Sequence, residues 1–218
     1  MDEVLLSGGR TTKGVVRIGE YVHRPMNSNS LFVHECLRFL ELSGCDFVPK
    51  FKGIDSKNRE ILTYMQGLVP EDLKHFDDET ICKAASLIRK FHAYGKGEQQ
   101  LIHNDLSPCN FVFVEGEPVA IIDFDACTYG DIWIDIGYAV WHWLNLGSDC
   151  YFKEEQKRRM TLFANSYGSI GLPKLIDSVI ASQQLMLSKS IEPKHKKWTF
   201  QCLEWSLENL SDETLNSE

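Results

Sequence analysis

Along the first third of the chain, apolar and polar residues alternate in short runs, the period of half-buried strands, interrupted by one segment of helical period. Val15 to Ile18 and Tyr21 to His23 flank the turn Gly19-Glu20 and predict a hairpin. From the cap Ser30 through Glu41, Leu31, Val33, His34, Leu37 and Leu40 fall near one face, so a helix is expected there, stopping at Ser43-Gly44. Lys50 to Ile54 and Glu60 to Met65 predict two further strands around the turn Asp55 to Asn58. The pattern changes after Gly67-Leu68-Val69-Pro70. Asp77 or Asp78 can cap a helix through Tyr94, in which Ile81, Ala84, Ala85, Ile88 and Phe91 keep helical spacing. Strands Asn110 to Val114 and Val119 to Phe124 bracket the turn Glu115-Gly116-Glu117-Pro118, and helices over about 131–146, 152–168, 173–189 and 195–210 complete the chain. The expectation is an α+β chain with a small β-rich N-terminal lobe, residues 1–67, and a mostly helical C-terminal lobe, residues 68–218, hinged near 66–70.

Composition narrows the partners. With 218 residues and 43% hydrophobic content, an ordinary core can form without covalent staples. The net charge of -8 argues against nucleic acid, which is bound through clustered Lys and Arg, and permits a cationic small molecule. The longest apolar runs, FVFV at 111–114 and YAVWHWL at 138–144, fall far short of the roughly 18 residues that span a bilayer, so no membrane association is expected. Two acids open the chain where a secretion signal needs positive charge, and a cytoplasmic protein is the expectation. Seven scattered cysteines without a CxxC pair read as reduced thiols.

The chemistry concentrates in LIHNDLSPCNFVF, residues 101–113, and VAIIDFDAC, residues 119–127. His103, Asp105 and Asn110 stand at the spacing of a kinase catalytic loop, in which the Asp accepts a hydroxyl proton and the Asn holds a magnesium ion. Phosphoryl transfer needs hard oxygen ligands converging on Mg²⁺ and a separate carboxylate facing the acceptor hydroxyl. A hairpin meets that need, because the loop 103–110 enters one strand and the chain returns with Asp123 at the end of the next. His103 is expected to support the loop by packing and hydrogen bonding more than to transfer a proton. Asp125 reads either as a second metal contact or as a solvated acid.

These segments, with GDIWIDIGYAVW after them and GGRTTKGVVRIGEYVHRP and REILTYMQG before them, resemble the phosphotransferase family that contains aminoglycoside phosphotransferases and choline kinases. The resemblance covers roughly residues 7–145. It implies a two-lobed protein-kinase-like fold with ATP between the lobes, and an Asp at position 135 that braces the catalytic loop. Only seven residues separate Asp123 from Asp131, no Ala-Pro-Glu follows, and Asn104 precedes Asp105, so a phosphorylation-regulated protein kinase is not expected.

At the nucleotide end, Arg24 takes the place of the usual strand lysine, its fork being suited to phosphate oxygens, with Glu35 or His34 as its orienting partner. Gly8 and Gly9, within Leu6 to Thr12, stand where a phosphate flap belongs, although an ordinary turn reads equally well. Tyr64 and Met65 resemble the hinge whose backbone meets adenine. The acceptor is expected against the C-terminal helices, where Glu204 and Glu208 share one face of the last helix and Trp198 and Trp205 another; core Trp and solvated acids are the alternative. The expected activity is an ATP- and Mg²⁺-dependent kinase for a hydroxyl of a small molecule. The alternative is a nucleotide-binding pseudo-kinase serving as an interaction module.

Overall fold

The computed structural model describes residues 2–6, 14–73, 75–95, 100–148 and 152–210. Strands β1 (Val4–Leu5), β2 (Val16–Ile18), β3 (Tyr21–Pro25), β4 (Phe51–Ile54) and β5 (Arg59–Thr63) form one antiparallel sheet in the order β1-β2-β3-β5-β4. Gly19, at φ 60°, supplies the left-handed step of the turn between β2 and β3. The β3–β5 register sets Arg24 directly opposite Glu60, so their side chains leave the sheet on the same side. Helix α1 (Ser30–Leu42) buries Val33, His34, Leu37 and Leu40 of the stripe expected from the sequence, together with Cys36, whereas Leu31 in its first turn is exposed.

Beyond β5 the chain leaves the sheet. Leu68 exchanges backbone hydrogen bonds of 2.9 and 2.7 Å with Phe113, tying the crossing segment to the C-terminal lobe. Gly67 sits at φ 145° with the Phe113 carbonyl against it, a place where backbone conformation and space both exclude a side chain. Helix α2 (Asp78–His92) starts on the Asp77 carboxylate, which accepts from the Thr80 N–H at 2.8 Å. Asp78 and Glu79 in its first turn, and Arg89, Lys90 and His92 in its last, complement the helix dipole.

Strand β6 (Gln100–Ile102) pairs with β9 (Thr128–Gly130), and β7 (Phe111–Val114) with β8 (Glu117–Ile121). The β7–β8 loop is Glu115-Gly116, both at positive φ, as a type I′ turn requires. Strand β8 therefore begins and ends earlier than the sequence pattern suggests. Helices α3 (Ile132–Trp143), α4 (Lys153–Gly168), α5 (Leu172–Lys189) and α6 (Pro193–Leu210) follow, α3 packing on α5 and α2 on α4. Gly137 lets α3 and α5 touch backbone to backbone, since a Cβ there would run into the Ser178 carbonyl. The arrangement is a two-lobed α+β fold, with one apolar cluster running from Val33, Leu37 and Val48 through Phe91, Phe111 and Ile121 to Ile136 and Val179. Among the described residues no helix is long and apolar enough to cross a membrane.

Candidate active site

The loop after β6 is held by one buried carboxylate. Asp135, with no solvent exposure, accepts the backbone N–H of His103 and of Asn104, each at 2.6 Å, and the His92 ring N–H at 3.2 Å. His92 thereby keeps its proton on Nε2, and its Nδ1 accepts from the Tyr167 hydroxyl at 2.7 Å. Burial, with the charge of Asp135 behind it, pushes the Tyr167 hydroxyl up to about 12, so it remains a donor. Asn104 takes φ 65°, a conformation Asn tolerates, and its side-chain amide donates to the Ala126 carbonyl and the Thr128 hydroxyl. The loop is thus pinned at both ends of its sharpest bend, and Asp105 emerges from it half-buried.

His103 is wholly buried, its Nε2–H donating to the Ile122 carbonyl at 3.0 Å and its ring lying edge-on to Phe124. A side chain in that position links the catalytic loop to the segment before Asp123 and does not face an acceptor. Asn110 ends a 3-10 turn, Pro108–Asn110, and precedes the strand it was expected to open. Its Nδ2 donates to the Asp105 carbonyl at 2.9 Å, which leaves its Oδ1 for another partner.

Asp123 does not end a strand. Strand β8 stops at Ile121, and Asp123 sits at φ 65° as the cap of a second 3-10 turn, Phe124–Ala126. This left-handed step, two residues beyond the strand, turns the chain at the residue that carries the expected ligand, a backbone cost typical of functional loops. The turn is clamped from the other lobe by Asn29, whose amide donates to the Asp125 carbonyl at 2.8 Å and the Cys127 carbonyl at 3.1 Å.

Arg24 bridges the lobes. Its Nε donates to Glu60 at 2.5 Å, one Nη to Asp123 at 3.1 Å, and the other Nη to Asp125. Burial disfavours the guanidinium charge, but the hydrogen bond and charge of Glu60, then those of Asp123, outweigh it and raise Arg24 above its ordinary value. The second carboxylate oxygen of Glu60 accepts from His34 Nε2 at 2.6 Å. The orienting partner is therefore Glu60 backed by His34, and Glu35 is corrected: it is exposed, one position away from His34 on the outer side of α1. Sequence reading passed over Glu60 as an ordinary strand residue. The available signal was an acid on the same strand face as Leu62, which a buried strand tolerates only with a partner.

Asp125 is partly exposed and paired with Arg24. The Tyr64 N–H is engaged by the Glu20 carbonyl at 2.9 Å and its ring lies under the Arg17 guanidinium, so the expected backbone contact to adenine is left to its carbonyl and to Met65. Gly8 and Gly9 lie outside the described residues.

Three carboxylates, Glu60, Asp123 and Asp125, meet a single guanidinium here, with Asp105 in the loop beyond. Together with the Asn110 Oδ1 this is a hard-oxygen, net-negative environment, and it fits a magnesium ion completed by water and phosphate oxygens. Among the described residues no three His, Cys, Asp or Glu side chains group as an all-protein metal cage.

On the other side of Asp105, Trp143 of α3 donates to the Leu106 carbonyl at 3.1 Å. The preceding residue, His142, is buried between aromatic rings: Tyr138 stacks at 4.0 Å, Trp141 lies at 4.4 Å and Trp198 of α6 at 5.7 Å. Burial lowers the His142 imidazole to about 4, against the opposing pull of the Tyr138 carbonyl and of the Asp105 charge. Its Nδ1–H donates to that carbonyl at 2.9 Å, so the lone pair stands on Nε2. Trp198 belongs to this patch, stacked on Trp141 at 4.8 Å, whereas Glu204 and Glu208 are exposed on the side of α6 away from its buried residues. These two acids are solvated, the alternative that the sequence allowed, and do not meet the rings of Trp141 and Trp198 as a pocket for a cation. His142 was missed because its apolar surroundings, YAVWHWL, read as core.

The description "Phosphotransferase enzyme family" belongs to a sequence model that matches residues 47–158. The chain is 30% identical over 170 residues to the trifolitoxin immunity protein of Rhizobium leguminosarum bv. trifolii, covering 66% of this chain and 62% of that one, so it spans less than two thirds of the relative's length. Among solved structures, a microcompartment-associated aminopropanol kinase superposes with a TM-score of 0.67 at 15% identity, covering 99% of this chain and 94% of that one. The choline kinase LicA of Streptococcus pneumoniae gives 0.64 at 11% identity, covering 96% and 93%. The gentamicin complex of APH(2")-IIa gives 0.60 at 17% identity, covering 100% and 92%. At these identities the three structures share the fold.

Proposed function

The chain belongs to the phosphotransferase enzyme family, and we propose that it moves the γ-phosphate of ATP to a hydroxyl group of a small molecule. The observation that carries this reading is the convergence of Arg24 from one lobe with Asp123 and Asp125 from the other, beside a loop that Asp135 holds and from which Asp105 projects.

In this reading Asp105 accepts the proton of the attacking hydroxyl, and Asn110 keeps its backbone in place through the bond to its carbonyl. Arg24 neutralises charge on the phosphates beyond the first. Asn110 and Asp123 would hold Mg²⁺, which when bound neutralises charge on the phosphate oxygens. The acceptor lies against Tyr138 and Trp198, partly exposed rings that pack on the buried His142. A cationic group is attracted there by the rings and by Asp105. We place the lobe boundary near residue 67, and the cleft between the lobes as the nucleotide site.

A second reading concerns the role alone. The 30% identity to a trifolitoxin immunity protein favours a role in immunity to a toxin. Calorimetric titration with ATP at high and low Mg²⁺, followed by an ATP-hydrolysis assay, tests the proposal. Magnesium-dependent binding with slow hydrolysis supports it; binding without any turnover favours the pseudo-kinase alternative, and no binding overturns both.

A further inference from the structure

Glu60 is unusual for a glutamate in having no solvent exposure at all. A carboxylate removed from water costs several kcal/mol unless both oxygens find charged or strong donors. Here the account is complete: one oxygen takes the Arg24 Nε–H at 2.5 Å and the other the His34 Nε2–H at 2.6 Å. His34 is itself fixed, buried on α1 and stacked on Phe51 with ring centroids 3.7 Å apart. The three side chains come from β3, β5 and α1, and each removes a degree of freedom from the next.

The geometry of arginine gives this chain of contacts a direction. With Nε committed to Glu60, the planar fork can only present its two Nη groups on the far edge, and those groups point at Asp123 and Asp125. A lysine at the same position has one nitrogen and could not satisfy Glu60 and face both aspartates together. The sequence offered Glu35 or His34 of the helix as partner for Arg24; the helix contributes the His34 imidazole behind Glu60, and the carboxylate that meets Arg24 stands on the neighbouring strand.

We infer that Glu60 and His34 are positioning residues for the nucleotide: the His34–Glu60 pair aims the Arg24 fork at the phosphates beyond the first and makes the placement of α1 part of ATP recognition. This rests on the proposed function, since it names the device that orients Arg24 in the same site.

The test is calorimetric titration of ATP and AMP with Mg²⁺ into the parental chain and into Glu60→Gln, His34→Gln, His34→Phe, Arg24→Lys and Arg24→Lys with Glu60→Gln, each after a thermal melt. Loss of a charge-assisted bond to the fork should weaken ATP in Glu60→Gln about tenfold to a hundredfold, with AMP changed by no more than about threefold. His34→Gln keeps a side-chain donor for Glu60 and should retain most of the ATP affinity, whereas His34→Phe should lose it as Glu60→Gln does. In the Arg24→Lys background the Glu60 substitution should matter much less, because the contact it supports is already gone. Equal weakening of ATP and AMP would mean that Glu60 only braces the lobe, and unchanged ATP affinity in a folded Glu60→Gln chain would remove it from nucleotide recognition; either overturns the inference. A parental chain that binds no ATP overturns the kinase reading itself, a result distinguishable from both.

Discussion

Replacing Asp135 by Asn preserves the volume of the side chain and removes its charge. In the parental chain one carboxylate oxygen accepts the Asn104 N–H at 2.6 Å, and the other accepts the His103 N–H at 2.6 Å and His92 at 3.2 Å. An amide can accept on one side only, so whichever way it turns, an NH₂ group faces a backbone N–H. One buried backbone donor is left unsatisfied, and the surviving bonds lose their charge assistance. With about 1.5–3 kcal/mol for each bond to a charged group, the loss comes to about 3–5 kcal/mol. Set against a typical domain stability of about 5–15 kcal/mol, the variant should still fold. At about 2–4 °C per kcal/mol for a chain of this size, its melting temperature should fall by about 10 °C. Urea unfolding gives the free energy, and amide hydrogen exchange should show the N–H groups of His103 and Asn104 losing more protection than those of α5. A loss below about 1 kcal/mol, or unchanged exchange at those two amides, would refute the bracing role.

Other substitutions probe different parts of the fold. His142 is held neutral by burial, at about 4 against an unfolded value of 6.5. Because its folded value is the lower one, the unfolded chain binds the extra proton first, and stability should fall as pH drops from about 6.5 towards 4, by up to about 1.4 kcal/mol per unit. His142→Phe should flatten that slope in urea unfolding between pH 6.5 and 5, and an identical slope would reject the assignment. Gly137→Ala drives a methyl group into the Ser178 carbonyl and should cost about 1–3 kcal/mol by separating α3 from α5; a neutral effect in thermal melts would mean that the helices already stand further apart. Asp123→Ala should abolish the magnesium dependence of ATP binding in calorimetry, and binding that still responds to Mg²⁺ would take Asp123 out of the metal site.

How much of this was legible in the sequence depended on whether the information was local. His103, Asp105 and Asn110 lie within one loop and Asp123 one hairpin away, so their spacing could be read directly. Helices α1 and α2 carry apolar stripes, and their bounds were close to those observed, although the cap of α1 is Asn29 and not the expected Ser30 and makes no side-chain cap bond. Strands β1, β6 and β9 were not predicted, because two or three residues set no period and, unlike β2, none of them is joined to its pairing partner by a tight turn. The partner of Arg24 was misread for a different reason. Glu60 lies 36 residues away and meets Arg24 only through the β3–β5 register, which follows from sheet order and not from neighbouring sequence. The same holds for the His92–Asp135 and His92–Tyr167 contacts, which join α2 to α3 and α4. On α6, Glu204 and Glu208 looked as eligible as Trp198, and only packing distinguishes the side that meets α3 from the side left to solvent.

The central claim is that Asp105 is the base of a phosphoryl transfer carried out at this loop, and the most direct measurement compares the parental chain with Asp105→Asn. Single-turnover transfer from γ-labelled ATP to an acceptor, with Mg-ATP affinity measured in parallel, separates chemistry from binding. Transfer should fall by about 10²- to 10⁴-fold in the variant while Mg-ATP affinity stays within a few-fold, because a positioned base contributes that much and makes no contact with the nucleotide. Transfer at the parental rate by a folded Asp105→Asn chain would contradict the account.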